Sequence, residues 1–401
     1  MNRFTTRWIA TFVLAAAPAA HATFTSTIGL TLPSRPGQHH FTLADGATRV
    51  IDVGAREPSR IFDIGNDTDF LLISGEPSDP EITTLVERKS THEIFYLADQ
   101  SEGQSSYRIR RYLRGYNLSG DSVATSYSER LYSGTTYSAP VYSLAMSLDE
   151  SVLYYADSAD AVVNVLNLTT HAVDAQLTIP DISYVTGMRE IRYKAQKTLA
   201  VLSQNSGSTS SLVFYDLKTS KNVFTLTSDE LGLSSSGDSL RLVELSPDTS
   251  KAIFCQIDRC LVVNLLNKNI IADLHIDGTS DSSATFSPDG RYIFVTEYNQ
   301  KSPLFSVVNA TDGSYSVNQI PTSPVNSANK TFATLDKKYY VRTHGDRLYL
   351  ISAVDGKLLQ TSTPLIDAQY DDLAYTGESP GVIKFITTKT SGVVEKWELS
   401  L

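Results

Sequence analysis

The sequence predicts an all-β fold, a β-propeller of seven four-stranded blades, from three observations. The first is a short polar hairpin turn that recurs along the chain, beginning at Asn117, Asn167, Asp216, Asn264, Asn309, Ser352 and Glu398. These positions step by 50, 49, 48, 45, 43 and 46 residues. The second is that the intervening segments read as short strands without a helical segment, and the third is that Asn, Asp and Gly fill the turns. A repeat of this length built from short strands indicates propeller blades.

Each unit contains the same elements in the same order. An inner strand leads into a tight turn, clearest at Ser246-Pro247-Asp248-Thr249 and Ser287-Pro288-Asp289-Gly290. Pro sets φ at the first central position, Asp hydrogen-bonds to the turn backbone and Gly permits positive φ. A second strand follows, as at residues 292–295, and a third, as at residues 304–308, runs into the recurring hairpin turn. The β-branched and aromatic residues of these strands suit a sheet that is buried on both faces.

One unit resembles a known repeat family. The matching residues are Ser-Pro-Asp-Gly-Arg-Tyr-Ile-Phe-Val-Thr at 287–296 and Val-Val-Asn-Ala-Thr-Asp-Gly at 307–313. They resemble the YVTN-type propeller repeats. Those repeats are distant relatives of WD40 repeats and are common in bacterial surface and periplasmic proteins. The other units are degenerate, and the pattern covers about 320 residues. Its motif residues make turns and strands, so the resemblance implies a fold and no catalytic residue.

The ends of the chain predict how the ring closes. The last unit stops at its third strand, with only Ser400 and Leu401 beyond, so we expect an N-terminal strand to supply the fourth. Residues 48–53 and residues 70–73 are both candidates, and the first is preferred. The expected organisation is a leader at 1–22, an N-terminal segment with the closing strand at 23–80, and a seven-bladed propeller at 81–401.

The first residues have the parts of a secretory signal peptide. Arg3 and Arg7 precede an apolar stretch at residues 8–17, and Ala20-His21-Ala22 supplies small residues two apart. We expect cleavage after Ala22 and a location in the periplasm or outside the cell, without membrane insertion. The alternative is an uncleaved anchor, but roughly ten apolar residues fall short of the roughly twenty that span a bilayer.

The net charge limits the classes of partner, and the two cysteines predict a disulfide. The chain carries 34 basic and 44 acidic residues, a net charge of −10, which argues against nucleic acid and anionic lipid as partners. Cys255 and Cys260 frame four residues between two strand-like runs, so they are expected to face each other across a hairpin. An oxidising compartment would make this a structural disulfide, with free thiols as the alternative.

The segments that join successive blades predict an acidic rim. These segments collect on one face of a propeller and here contain acidic residues, of which the candidate binding residues are Asp181, Asp277, Asp281, Asp367, Asp371 and Asp372. Such a rim would attract a cation or a basic partner patch, and the alternative is an ordinary solvated loop surface. The loop at 277–281 could contribute oxygens to calcium, but it lacks the dense carboxylates of dedicated sites. We expect no other cofactor and no metal site, since His39-His40 has no third ligand nearby in sequence.

These features favour a binding protein over an enzyme. Standard catalytic and cofactor signatures are absent from the sequence, and no catalytic residue can be assigned. The expected function is an exported, monomeric propeller that binds or scaffolds a protein or glycan partner. The alternative is a lactonase-type hydrolase, because some lactonases are similar propellers with YVTN-like repeats.

Overall fold

The computed structural model describes residues 22–401 apart from sixteen short gaps, at 33–38, 55–58, 65–67, 72–80, 103–104, 119–123, 136–141, 158–161, 183, 205–208, 234–240, 256–258, 276–282, 300–301, 322–329 and 366–368. The described residues form eight antiparallel sheets of four strands each. The chain is therefore a propeller of four-stranded blades, as predicted, but it has eight blades rather than seven. No helix in the described residues is both long and apolar enough to span a membrane.

The strands are numbered in chain order, and the blades in the order in which their first strands occur. Blade 1 has β2 (His39–Ala44), β3 (Arg49–Gly54), β4 (Arg60–Asp63) and β5 (Thr68–Leu71). Blade 2 has β6 (Glu81–Arg88), β7 (Glu93–Glu102), β8 (Ser105–Asn117) and β9 (Ala124–Thr135). Blade 3 has β10 (Tyr142–Met146), β11 (Val152–Asp157), β12 (Val162–Asn167) and β13 (Ala172–Thr178). Blade 4 has β14 (Tyr184–Tyr193), β15 (Gln196–Gln204), β16 (Ser210–Asp216) and β17 (Lys221–Thr227).

The second half of the ring follows the same plan. Blade 5 has β18 (Arg241–Leu245), β19 (Lys251–Cys255), β20 (Arg259–Asn264) and β21 (Ile270–His275). Blade 6 has β22 (Ser283–Phe286), β23 (Tyr292–Asn299), β24 (Ser302–Asn309) and β25 (Tyr315–Pro321). Blade 7 has β26 (Thr331–Ala333), β27 (Tyr339–His344), β28 (Arg347–Ser352) and β29 (Leu358–Thr361). Blade 8 has β30 (Tyr370–Ser379), β31 (Val382–Lys389), β32 (Val393–Ser400) and β1 (Thr23–Thr31).

Blade 1 is the blade that the sequence did not predict. It forms from residues 39–71, which the expected organisation placed in a segment before the propeller. Its strands have only six, six, four and four residues. Its first turn is the 3-10 segment Asp45–Ala47 rather than a Ser-Pro-Asp turn. Short strands and an unusual turn give little signal in the sequence, so blade 1 was not recognised. The predicted count of seven blades was therefore wrong.

An N-terminal strand completes the last blade, but not the strand that was preferred. Residues 48–53 lie mostly in β3, the second strand of blade 1, and residues 70 and 71 lie in β5. The fourth strand of blade 8 is β1, which pairs antiparallel with β32 from Thr23 opposite Ser400 to Thr31 opposite Val393. The two ends of the described chain thus share one sheet.

The core lies between the blades. Eight clusters of buried side chains, one for each pair of neighbouring blades, connect the described blades into a closed ring. At the junction of blades 8 and 1, Ile386 and Val394 pack with Val50 and Phe62. Since each sheet is covered on both faces, a strand such as β16 is buried at all seven positions.

The predicted tight turns hold their shape through their own side chains. In blade 6 the Ser287 hydroxyl donates to Asp289 Oδ1 at 2.8 Å and accepts from the Tyr292 N–H at 3.0 Å, while Gly290 has a φ of 72°. Equivalent serine or threonine to aspartate bonds occur in the first turns of blades 3, 5 and 7. Because four antiparallel strands alternate in direction, this turn and the turn between the third and fourth strands lie at the same end of every blade. We call that end of the ring the lower face.

The cysteine prediction is confirmed. Cys255 and Cys260 lie directly opposite each other at the end of the β19–β20 ladder, with a Cα–Cα separation of 4.1 Å, and form a disulfide. The bridge closes the hairpin of blade 5 at the upper end, opposite the lower face. Both residues are buried against blade 6.

Candidate functional site

The structure describes only part of the predicted acidic rim. Asp181 is exposed in the connection between β13 and β14, in keeping with a rim position. The other loop candidates, Asp277, Asp281 and Asp367, lie outside the described residues, as does the 277–281 loop considered for calcium. A binding role for these residues stays a prediction. Within the described part of the chain, no three His, Cys, Asp or Glu side chains are grouped to hold a metal.

Asp371 and Asp372 are buried and join blade 8 to blade 1. They lie at the start of β30, and their carboxylates accept hydrogen bonds from the Phe41 N–H at 3.3 Å and the Leu43 N–H at 2.8 Å. The Thr388 hydroxyl donates to the Phe41 carbonyl at 2.8 Å. Burial raises the pKa of both aspartates, that of Asp371 to about 6. The two side chains therefore serve the closure of the ring rather than an exposed rim.

The same use of carboxylates recurs around the ring. The first strand of each blade is the inner edge of its sheet, so part of its backbone N–H groups have no partner within that sheet. Glu244 of blade 5 accepts from the Phe286 N–H of blade 6 at 2.8 Å, and burial raises its pKa. Glu87 of blade 2 accepts from the Asp45 N–H of blade 1 at 2.8 Å. Acidic residues near the axis of the ring thus link neighbouring blades.

Buried basic groups between blades 6 and 7 also serve packing. Arg342 donates from Nη1 to the hydroxyls of Thr285 at 3.0 Å and Thr331 at 2.8 Å, and its guanidinium lies 4.9 Å from the ring centre of Phe294. Burial lowers the pKa of Arg342 to about 9. His344, two residues further on the same strand, is completely buried, and burial lowers its pKa well below the usual value. These groups have no access to solvent, so they do not form an exposed reactive site.

The surface that best fits a binding site lies on the lower face at blades 7 and 8. Leu335 and Val354 occupy the tips of the two lower turns of blade 7 and are 70% and 73% exposed, the highest values for large apolar side chains in the described residues. A cleft of about 320 Å³ lies between Asp336 of blade 7 and residues 378–383 of blade 8. We call this region, from Val354 and Leu335 to the β30–β31 turn, the blade 7–8 surface.

Paired charges surround the apolar tips of the blade 7–8 surface. Lys338 Nζ lies 3.2 Å from Asp336, and Lys357 Nζ lies 2.9 Å from Asp355. Hydrogen bonds from Thr334 lower the pKa of Asp336, and those from Ser352 and Lys357 lower that of Asp355 to about 2, so both carboxylates are ionised at neutral pH. An apolar centre inside a polar and charged rim occurs in protein interfaces. The sequence did not predict this surface, because Leu335 and Val354 stand between polar residues that are typical of turns.

Blade 8 offers a second cleft on its other side. Its strands β30 and β31 have ten and eight residues, whereas the facing strands β2 and β3 of blade 1 have six each. The lower half of the blade 8 sheet therefore extends past blade 1. The lining of the resulting cleft, which has a volume of about 560 Å³, includes Thr25, Thr27, Lys384, Lys396 and Glu398 together with Phe385, Ile386 and Trp397.

Comparison with known proteins does not assign the chain to a family. No family model matches the chain, and no curated protein matches it. The YVTN-type resemblance therefore stays a prediction. Among solved structures, the chain is similar to the β-propeller domain of Cps50 (Swd1) from Myceliophteria thermophila, with 10% identity and a TM-score of 0.44. That alignment covers 94% of this chain and 100% of the other.

Proposed function

We propose that this chain is an exported, non-catalytic propeller that binds a protein partner in the cell envelope or outside the cell. The observation that carries the proposal is the blade 7–8 surface, where the two most exposed apolar side chains of the described residues lie at the lower turns of blade 7 and a cleft opens between blades 7 and 8. Aliphatic anchors among ion pairs favour a protein over the glycan also considered from the sequence. The acidic rim remains a second contact surface in this proposal, through Asp181 and the loops that carry Asp277, Asp281 and Asp367.

A capture experiment tests the binding surface. The purified exported chain is immobilised and exposed to envelope and secreted fractions of its own cells at low and at moderate salt. We expect a stoichiometric partner whose affinity falls at least about tenfold, or 1.4 kcal/mol, in the double variant Leu335→Asp, Val354→Asp. Leu148→Asp is the matched control, because Leu148 occupies the tip of the equivalent turn in blade 3 and is 53% exposed.

The outcomes separate the candidate surfaces. A partner that is bound equally well by the double variant would remove the blade 7–8 surface from the proposal. If that partner is also lost as the salt concentration rises, the acidic rim is the better candidate, because rim charges are screened by salt. Recovery of no partner at either salt would count against the binding function, and a screen for lactone and ester hydrolysis would then test the alternative.

Export has its own test. The leader at residues 1–22 supports export, and the disulfide between Cys255 and Cys260 suits an oxidising compartment. We expect the chain recovered from a secreting host to begin at Thr23 when its N-terminus is determined by mass spectrometry. A leader with Ala20 and Ala22 both changed to large residues should retain the uncleaved form. A cytoplasmic chain that begins at Met1 would contradict export.

A further inference from the structure

The outermost strand of blade 8 is an unprotected sheet edge. In the described residues β1 pairs with β32 on one side, and its other side is the end of the sheet. A strand in that position presents backbone N–H and C=O groups to any other chain that can lie alongside it. Proteins normally prevent other strands from pairing with such an edge by means of charges, proline, bulges or a very short strand.

The outer strands of the other seven blades carry such protection, whereas β1 has only a register shift at Gly29. Two are only four residues long, β5 and β29. Four contain charged residues, β9, β13, β17 and β21. The remaining one, β25, ends in Pro321 and has two register shifts against its neighbour. By contrast β1 has nine residues and no charge, and its residues 23–28 run in regular register before a shift at Gly29.

The side chains of β1 leave one apolar group uncovered. Phe24 packs edge-on against Trp397 and Phe385 at ring distances of 6.2 and 6.5 Å. Ile28 lies on the same side of the strand four residues later and is 69% exposed. In an antiparallel pair of two β1 strands centred on Ser26, Ile28 of each strand comes beside Phe24 of the other. An aromatic residue opposite a β-branched residue is a favourable cross-strand pair.

The charges near β1 are more nearly balanced than those of the whole chain. The whole chain has a net charge of −10, so most faces of two copies repel each other. Beside β1, however, the blade 8 cleft contains Lys384, Lys396 and Glu398, a local balance of +1, and Lys384 is paired with Glu398 at 3.1 Å. The strand itself carries no charge, so direct pairing of two β1 strands places no like charges opposite each other.

We propose that two copies of this chain associate through antiparallel pairing of their β1 edges. The two blade 8 sheets then form one eight-stranded sheet across a two-fold axis, an arrangement in which both copies use the same surface. This interface goes beyond the proposed partner binding and leaves the blade 7–8 surface of each copy outside the strand pairing. It replaces the monomer expected from the sequence.

Sedimentation of the exported chain over a concentration series tests the proposal. We expect a reversible dimer that is weakened at least tenfold in Ile28→Lys, because a lysine on an edge strand opposes strand addition. Leu266→Lys is the matched control, since Leu266 is equally exposed, at 69%, on blade 5, and its dimer affinity should stay within twofold of the unmodified chain. Both variants replace exposed side chains, so both should fold.

A cysteine placed at the predicted axis gives an independent measurement. Ser26→Cys should form an intermolecular disulfide under mild oxidation, whereas Leu335→Cys on the lower face should not. A chain that stays monomeric at every concentration overturns the proposal, and so does a dimer that Ile28→Lys leaves intact. Loss of partner capture in the blade 7–8 variants with an unchanged dimer would show that the two surfaces act separately.

Discussion

A chain that lacks residues 23–31 should lose at least about 3 kcal/mol of its free energy of unfolding and should aggregate. The deletion removes Phe24 from the aromatic cluster of blade 8 and Leu30 from the core between blades 8 and 1. Fully burying one such side chain contributes roughly 1.5–3 kcal/mol, and each of these is partly buried. The deletion also removes the β1–β32 ladder and exposes β32 as a new edge next to Trp397. Denaturant titration and light scattering measure both effects.

Adding the strand back as a peptide tests whether the loss of stability comes from the missing β1 strand itself. A synthetic peptide of residues 22–32 should raise the unfolding midpoint of the shortened chain, because it can refill the vacant position beside β32. The same peptide with Phe24→Ala should be less effective, and a scrambled peptide should have no effect. In the intact chain, Thr27→Ala is a suitable control, since Thr27 is exposed. A monomeric deletion chain with an unchanged midpoint would contradict closure by β1.

The blade number shows which parts of the fold a local pattern can predict. Turns such as Ser287-Pro288-Asp289-Gly290 were predicted because their side chains hydrogen-bond within a few residues. Blade 1 was missed because its turn at Asp45–Ala47 uses a different conformation, with φ of 68° at Ala47. The sequence indicated that an N-terminal strand completes the last blade, but it did not indicate which one. The strand β1 pairs with residues more than 360 positions away, and no residue near β1 in sequence encodes that contact.

The candidate site was harder to predict for a related reason. Asp371 and Asp372 were assigned to a connecting loop, yet they satisfy N–H groups of a strand in another blade. Those N–H groups lie beside the two aspartates only in the closed ring, so no pattern within residues 365–375 predicts these hydrogen bonds. Leu335 offered a weak signal, because it stands at the turn position that proline occupies at Pro247 and Pro288. Leu148 of blade 3 stands at the same turn position, so this signal alone does not single out Leu335.

The contribution of Asp371 to stability should fall as the pH rises from about 4 to about 7, and Asp371→Asn should remove that contribution. Buried His344, whose pKa is lowered, has the opposite slope, so the measured quantity is the difference between the variant and the unmodified chain. Asp371 is 5% exposed, and burial raises its pKa from 3.8 to about 6. Between these values the folded chain binds a proton at Asp371 that the unfolded chain does not, so the contribution of this group to the free energy of unfolding decreases with increasing pH. A shift of this size corresponds to about 2–3 kcal/mol. The contribution is present below about pH 4 and is lost as the pH passes the folded pKa.

The asparagine variant isolates this group from its neighbours. Its amide oxygen can still accept the Phe41 N–H, but it carries no charge, so Asp371→Asn should match or exceed the stability of the unmodified chain at pH 7. His40 lies 3.5 Å from Asp371, while Asp372 and Lys330 face the same junction, and all three are retained in the variant. Asp181→Asn provides the control, because Asp181 is exposed. If denaturant titrations from pH 4 to 7 give parallel curves for Asp371→Asn and the unmodified chain, Asp371 is ionised throughout this range, and the junction between blades 8 and 1 contains a buried charge rather than a protonated carboxyl group.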